Sequence, residues 1–170
     1  GDAEICVAGG MENMSAAAYL LRNARWGYRL GHQKVQDQLI LLDPISGDTM
    51  GQTAENVAKK FNVSRESQDA LALASQQRAE AALNDGVFKD QILPLEVKAG
   101  RKKVTFEVDE HPRLGTTAET LAKLGPVFDR ENGTVTAGNS SGMNDGASAM
   151  VVMGADKAKD LGLEPLAKIK

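Results

Sequence analysis

The sequence predicts an α/β protein in which strands from the two ends of the chain form a core sheet, while the middle of the chain is a helix-rich excursion. Two short apolar runs suit buried strands, "AEICVAGG" at residues 3–10 and "ASAMVVM" at 147–153. Between them, the segment "RESQDALALASQQRAEAALNDG" at 65–86 predicts a helix of about five turns that stops at Gly86. Strands that lie so far apart in the sequence share a sheet only if the chain between them leaves that sheet and returns.

The first half of the chain contains three further predicted elements. Residues 11–32 mix helix formers with three arginines before glycines interrupt them, which predicts a short helix followed by a basic, exposed loop. Residues 53–61 predict a short helix. Ser64 is a good N-cap for the next helix, Glu66 lies in its first turn, and Gly86 suits the position just after its end.

The second half begins with a predicted strand pair, "ILPLEV" and "KVTFEV", joined by "KAGRK". Residues 117–124 predict a short helix that Gly125 ends, and residues 155–163 predict another. The final segment, "PLAKIK" at 165–170, is predicted to be a closing strand.

These elements predict three parts of the chain. Residues 1–15 and 131–170 belong to one α/β half, and residues 16–130 form an inserted α+β domain. Because both ends of the chain fall in predicted strands, we expect this sequence to be a segment of a longer protein.

Composition excludes several classes of function. Lys and Arg number 20 against 23 Asp and Glu, a net charge of −3 that argues against a general nucleic-acid binder. No apolar run approaches the roughly 18 residues of a membrane span. The single cysteine excludes an internal disulfide framework and favours a reducing compartment, which predicts a cytoplasmic location. No His, Cys and Asp cluster has metal-ligand spacing, so we expect no metal site.

The stretch "TVTAGNSSGMNDG" (134–146) is unusually rich in small residues. It lacks the Lys and the adjacent Ser or Thr of a phosphate-binding P-loop, and its glycine spacing does not match a dinucleotide-binding turn. The backbone near Ser141 is nevertheless bare, and Asn139 and Asn144 have side chains able to hold turns. A narrow polar chain with amides of its own, such as the pantetheine arm of coenzyme A (CoA), suits such a backbone.

Several segments together resemble a known family. They are "AGGMENMS", "MGQTAENVAKKFNVSRESQDALALASQQRAEAA", "FKDQILPLEV", "DEHPR", "GPVFDRENGTVTAGN" and "GTVTAGNSSGMNDGASA". Their residues and their order resemble the thiolases, the group of acetyl-CoA acetyltransferases and β-ketothiolases, over essentially the whole chain. The resemblance implies a thiolase-like fold, of which this chain is part of one α/β half with its inserted loop domain.

The resemblance also implies which residues contact the substrate. Arg113 matches the arginine that packs on the adenine of CoA, and Thr120 falls where the family usually has a serine that hydrogen-bonds the nucleotide part. Ser141 matches the serine beside the pantetheine arm. Met50 matches the methionine bordering the acyl pocket, and Met143 replaces the usual Leu or Ile there. Without the resemblance, Ser141 would be interpreted as a turn serine and the methionines as packing residues.

The catalytic residues of the family have no counterpart here. The nucleophilic cysteine, the activating histidine and the second, acid/base cysteine lie outside this chain in thiolases, so no catalytic residue is predicted within it. Cys6 lies inside "EICVAGG" without a neighbouring basic residue, and we interpret it as a plain buried strand residue. His32 and His111 are interpreted as solvated. Thr49 stands where many members have histidine, which bears on substrate preference.

The resemblance predicts a function and an assembly. The function is reversible Claisen condensation of acyl-CoA units or thiolytic cleavage of a 3-ketoacyl-CoA, with CoA as substrate and no separate cofactor. The alternative is a non-catalytic, thiolase-like module that binds acyl-CoA or lipid. The assembly is a homo-oligomer, a dimer through residues Ala8–Ser15 and a tetramer through the Arg22–Arg29 loop, although these arginines equally suit a solvated face.

Overall fold

The computed structural model describes residues 2–40 and 42–169. The chain divides into two compact units, one comprising Gly1–Leu39 with Met143–Lys170 and the other comprising Ile40–Gly142. We call them the terminal unit and the central unit. The domain limits expected from the sequence pattern divide the chain elsewhere and stay a prediction.

Helices and strands alternate irregularly along the chain. In order they are β1 (Ile5–Glu12), β2 (Tyr19–Leu21), β3 (Val35–Asp37), α1 (Met50–Phe61), α2 (Arg65–Asn84), β4 (Leu95–Ala99), β5 (Lys102–Phe106), α3 (Ala118–Ala122), β6 (Gly146–Met153) and α4 (Ala155–Asp160). The strands form three antiparallel pairs, β1 with β6, β2 with β3, and β4 with β5. No helix of the described segments combines the length and the apolar character that crossing a bilayer requires.

The terminal unit is organised by the β1–β6 pair, which confirms that strands from the two ends of the chain meet. Ile5 lies opposite Met153 and Glu12 lies opposite Gly146. Beyond β6, helix α4 is tied to the start of β1 by an ion pair of 2.9 Å between Lys157 and Glu4. The apolar side chains of the pair are largely exposed in this chain.

Two predictions for the terminal unit are wrong. Residues 11–32 form no α-helix but a short 3-10 turn at Met14–Ala16, strand β2 and a second 3-10 turn. Pairing of β2 with β3 overrides the helix preference of the alanines, as tertiary context commonly does. Residues 165–169 form no strand, because no described strand lies beside them to complete hydrogen bonds; Lys170 lies outside the described residues.

In the central unit, α1 and α2 begin and end at local signals. Thr49 caps α1 in a capping box with Gln52, whose backbone N–H and side chain both take part. The Ser64 side chain caps α2 as predicted. The backbone N–H of Glu66 itself, and then the Ser64 hydroxyl, lower the pKa of the Glu66 carboxyl below its usual value. Gly86 follows the end of α2 with φ of +71°, which confirms the predicted glycine stop.

The β4–β5 hairpin and α3 complete the central unit. The hairpin confirms the predicted strand pair, with Leu95 opposite Phe106. Helix α3 confirms the predicted helix but is shorter, and Thr117 is its N-cap. Among the described residues of this unit, the buried set comprises Ala58, Leu121, Val135 and Thr136. The core therefore lies where α1 and α3 meet the small-residue stretch.

Candidate functional site

The first residues of the small-residue stretch are hydrogen-bonded to a carboxylate of α1. Glu55 accepts hydrogen bonds from the N–H of Thr134 at 3.0 Å and from the N–H of Val135 at 2.8 Å. It also accepts one from the Thr134 hydroxyl at 3.1 Å. A side chain on Gly133 would lie 2.6 Å from the Glu55 oxygen. One carboxylate thus orders two consecutive residues, and the glycine that precedes them leaves room for it.

Helix α2 holds the next part of the stretch through Asp69. The Asn139 amide nitrogen donates to Asp69 at 3.0 Å and to the Thr134 carbonyl at 3.0 Å, while its oxygen accepts from the N–H of Thr136 at 2.7 Å. Asn139 therefore holds a turn, as predicted. The second oxygen of Asp69 pairs with Arg65 at 2.7 Å.

Arg65 links the same helix to α3. Its terminal nitrogen donates to the carbonyls of Leu121 and Leu124, both at 2.8 Å. These carbonyls lie at the end of α3 and just beyond it, where a helix leaves acceptors without intrahelical partners. The Arg65–Asp69 pair thus joins α3 to the turn that Asn139 holds.

Part of the stretch faces the interior of the protein. Thr136 is fully buried, and its hydroxyl accepts from the N–H groups of Gly138 and Asn139. A Cβ on Gly138 would lie 2.5 Å from Leu124 and 2.6 Å from Leu121, both side-chain methyl carbons. The absence of a side chain at Gly138 therefore admits Leu121 of α3 and Leu124, which follows the helix. Ala137 is exposed, Gly138 and Asn139 are half-buried, and the stretch is exposed again at Ser140 and Ser141.

Ser141 lies in this exposed part. The preceding Ser140 is fixed by a hydrogen bond of 2.7 Å from its hydroxyl to the Thr136 carbonyl. Within the described residues, Ser141 itself makes no hydrogen bond, so its hydroxyl faces solvent without a partner. Ser141 is therefore accessible to solvent, as expected, and it lies at the edge of the turn that Asn139 holds.

The loop that carries Arg113 is anchored on α2. The N–H of Arg113 donates to the Gln76 side chain at 2.9 Å, and the N–H of Gly115 donates to Glu80 at 3.2 Å. The Thr116 hydroxyl donates to the Arg113 carbonyl at 2.6 Å. The backbone is thus fixed while the guanidinium is exposed, and within the described chain it has no hydrogen-bond or ionic partner.

Thr120 has a structural task that the sequence analysis missed. It occupies the third position of α3 and forms a capping box with Thr117. Its hydroxyl accepts from the Thr117 N–H at 3.0 Å and donates to the Thr117 carbonyl at 2.8 Å. A hydroxyl has one hydrogen and two acceptor positions, so Thr120 retains one acceptor position and no free hydrogen.

The two methionines lie in different units. Met50 is the first residue of α1 and is 58% exposed, directly after the capping residue Thr49. Thr49 therefore caps this helix. Met143 belongs to the terminal unit and is 71% exposed.

One face of α2 organises the segments that carry Arg113, Thr120 and Ser141. Arg65, Asp69, Gln76 and Glu80 follow spacings of 4, 7 and 4 residues, which at 3.6 residues per turn places them within about 60° of one another. With a rise of 1.5 Å per residue, the anchor of the Asn139 turn and that of the Arg113 loop lie about 10 Å apart along the axis. Sequence reasoning missed these four residues and Glu55, although the helical spacing of the four was visible.

Cys6 lies in strand β1 and is exposed, so the prediction that it is buried is wrong. The β1–β6 pair is the whole of its sheet among the described residues, so no further layer covers β1 in this chain. His32 and His111 are exposed, as predicted. The described residues contain no group of three or more His, Cys, Asp or Glu side chains able to hold a metal ion.

The terminal unit has one polar clamp near the candidate dimer strand. The hydroxyl of Ser15 donates to one oxygen of Asp145 and its N–H donates to the other, at 2.8 Å. These two hydrogen bonds, the hydroxyl first, lower the pKa of the Asp145 carboxyl below its usual value. The clamp fixes the entrance to β6 against the exit from β1.

Comparisons with known proteins agree on one family. The family model described as the thiolase N-terminal domain matches residues 1–156. An acetyl-CoA acetyltransferase of Pseudomonas aeruginosa is 53% identical over 173 residues, covering 99% of this chain and 44% of that protein. The chain therefore spans somewhat under half the length of this curated relative.

Solved structures agree with the sequence comparisons. The acetyl-CoA acetyltransferase of Bacillus anthracis matches with a TM-score of 0.89 at 48% identity, over 97% of this chain and 42% of that one. The human mitochondrial 3-ketoacyl-CoA thiolase in complex with CoA matches with a TM-score of 0.87 at 47% identity, over 97% of this chain and 41% of that one. With its α/β fold shared across these structures, the chain belongs to the thiolase family and corresponds to its N-terminal domain.

Proposed function

We propose that this chain is the CoA-binding segment of an acyl-CoA C-acyltransferase. The full-length protein catalyses reversible Claisen condensation of acyl-CoA units or thiolytic cleavage of a 3-ketoacyl-CoA. The nucleophilic cysteine and the activating histidine belong to parts of the protein outside this chain. The names of the relatives, acetyl-CoA acetyltransferase and 3-ketoacyl-CoA thiolase, support this reaction class, and one matched structure is a complex with CoA.

The observation that carries the proposal is the polar face of α2. It fixes three separate backbone segments, and each of them carries one residue that the family resemblance assigns to CoA. Fixed backbones with exposed side chains are what a binding site for a long, flexible ligand requires, because less conformational freedom is lost when the ligand binds.

The nucleotide end of CoA is assigned to Arg113 and Thr120. The Arg113 guanidinium is exposed, and its planar cation suits both the face of adenine and nearby phosphates. Thr120 has an acceptor position to offer but no hydrogen. It therefore suits a donor on the ligand, such as the adenine amino group or a ribose hydroxyl, better than an ionised phosphate oxygen.

The pantetheine arm and the acyl group are assigned to the remaining residues. Ser141 offers a hydroxyl beside a closed turn, so a thin chain meets backbone rather than bulky side chains. Met50 and Met143 are exposed and flexible, which suits contact with acyl groups. The segment contributes rate by holding the thioester in place, and the chemistry is nucleophilic catalysis by the rest of the protein. No cofactor other than the CoA substrate is required.

Kinetics of the full-length protein test this assignment. In thiolysis of acetoacetyl-CoA, Arg113→Ala should raise KM for CoA and leave kcat nearly intact, the pattern of lost uniform binding. Losing a cation–π contact of about 0.5–2 kcal/mol corresponds to about 2- to 30-fold in KM. Ser141→Val should impair both parameters, because it narrows the path of the thioester. Arg101→Ala, in the exposed β4–β5 turn, is the matched control and should change neither.

Two results would contradict the proposal in different ways. Normal KM for CoA in Arg113→Ala, together with a silent Ser141→Val, would remove the assigned site. A full-length protein that binds CoA but never turns over acetoacetyl-CoA would instead be a non-catalytic module for acyl-CoA or lipid.

The proposed assembly is a homo-oligomer. Residues Ala8–Ser15 form the dimer contact and the Arg22–Arg29 loop forms the tetramer contact. Exposed apolar side chains on β1 and in or next to this loop, Trp26 at 85% and Leu30 at 104% among them, suit burial against further copies. A single cysteine fits the reducing cytoplasm as its location.

A further inference from the structure

The Arg65–Asp69 ion pair contacts two separate segments of the chain, the end of α3 and the turn that Asn139 holds. Arg65 holds the carbonyls of Leu121 and Leu124, at the end of α3 and just beyond it, and Leu121 directly follows Thr120. Asp69 holds Asn139, which lies two residues before Ser141. One ion pair therefore connects the two segments that carry the proposed nucleotide and pantetheine contacts.

We infer that Arg65 and Asp69 are positioning residues that set the spacing between Thr120 and Ser141 and so tune the affinity for CoA. This inference rests on the proposed function, since it needs Thr120 and Ser141 to bind the ligand. Neither charged residue needs to touch CoA, because each acts through the segment it holds.

These contacts use both oxygens of Asp69 and two of the three guanidinium nitrogens of Arg65. One Asp69 oxygen accepts from Arg65 at 2.7 Å and the other accepts from Asn139 at 3.0 Å. The Arg65 fork spans Asp69 and α3 at once, a geometry that the point charge of lysine does not reproduce. Their side chains are 22% and 13% exposed, so water screens the pair far less than the Lys103–Glu96 pair, at 70% and 68%.

Asp69 accepts hydrogen bonds from both Arg65 and Asn139, so a side chain of the same size that contains a donor should disturb the turn. In Asp69→Asn, the new side chain has one oxygen and one NH2 group. If the oxygen accepts from Arg65, the new NH2 group faces the amide nitrogen of Asn139, which is also a donor. Rotating Asn139 would present that nitrogen to the Thr136 N–H, which is also a donor. Two donors would then face each other in either arrangement, so the turn must shift.

A double-mutant cycle on the full-length protein tests the inference. Calorimetric Kd for CoA should rise about tenfold in Asp69→Asn, whereas Glu96→Gln, which breaks the exposed ion pair, should change it less than about twofold. In the double variant with Ser141→Ala, the rise in Kd should be at least about threefold smaller than the product of the two single rises. The reason is that Ser141 already contacts CoA less well once Asp69→Asn has displaced it. The KM for CoA should follow Kd, with kcat changed much less.

Arg65→Lys provides a second route if Asp69→Asn fails to accumulate. It keeps the charge but loses the fork to α3, so its effect on Kd should couple to Thr120→Val rather than to Ser141→Ala. A purely structural role predicts lower stability with no such coupling. Additive effects in these cycles, or an Asp69→Asn effect no larger than that of Glu96→Gln, would overturn the inference alone. Silent Ser141→Ala and Thr120→Val would overturn it together with the proposed site.

Discussion

Replacing Glu55 by alanine should loosen the start of the small-residue stretch. The carboxylate accepts the N–H groups of Thr134 and Val135, and Val135 is only 5% exposed, so water cannot easily replace the lost acceptor. A hydrogen bond to a charged acceptor contributes about 1.5–3 kcal/mol. Two such bonds, with water reaching the half-buried Thr134, give a loss of about 3 kcal/mol in the free energy of local opening.

Hydrogen exchange of the full-length protein measures this loss directly. A change of about 3 kcal/mol corresponds to roughly 150-fold faster exchange in peptides covering residues 133–138. Glu55→Gln retains one acceptor oxygen and should give a smaller effect, and Glu96→Ala, on the exposed hairpin, should give none. Unchanged protection of residues 133–138 in Glu55→Ala would refute the view that this carboxylate holds the stretch.

Three further changes probe packing, charge and assembly. Gly138→Ala should lower the free energy of unfolding by about 1–3 kcal/mol in chemical denaturation, because Leu121 and Leu124 occupy the space, whereas Gly125→Ala has no neighbour to meet. Ser15→Ala should raise the Asp145 pKa in an NMR titration. A lowered carboxyl pKa stabilises the fold above its usual pKa and loses that effect as pH falls through the lowered value, so the variant should lose stability at neutral pH. Glutamates in place of the three arginines of loop 22–29 should give dimers in sedimentation, and an unchanged tetramer would exclude that contact.

Local signals account for the parts of the fold that the sequence predicted. Ser64 and Gly86 delimit α2 through bonds and backbone angles formed within a few residues, so the sequence contains the whole cause. Strand β2 is different, because it exists only through its pairing with β3, and the alanines before it favour a helix. The burial expected for Cys6 likewise depends on a layer over β1 that this chain does not supply.

The small-residue stretch shows why a binding site is harder to predict than a helix. A glycine allows something to approach the backbone, but the pattern does not say whether that is a ligand or the protein's own side chain. At Gly138 it is the side chains of Leu121 and Leu124, whereas Ser141, three residues later, is open to solvent. What separates the two cases is the position of α3, which Arg65 fixes from a helix more than 50 residues earlier in the chain. The sequence shows that the polar residues of α2 share one helical face, which is equally typical of a solvated surface. Only the structure shows that these side chains are half-buried and hydrogen-bonded to other segments.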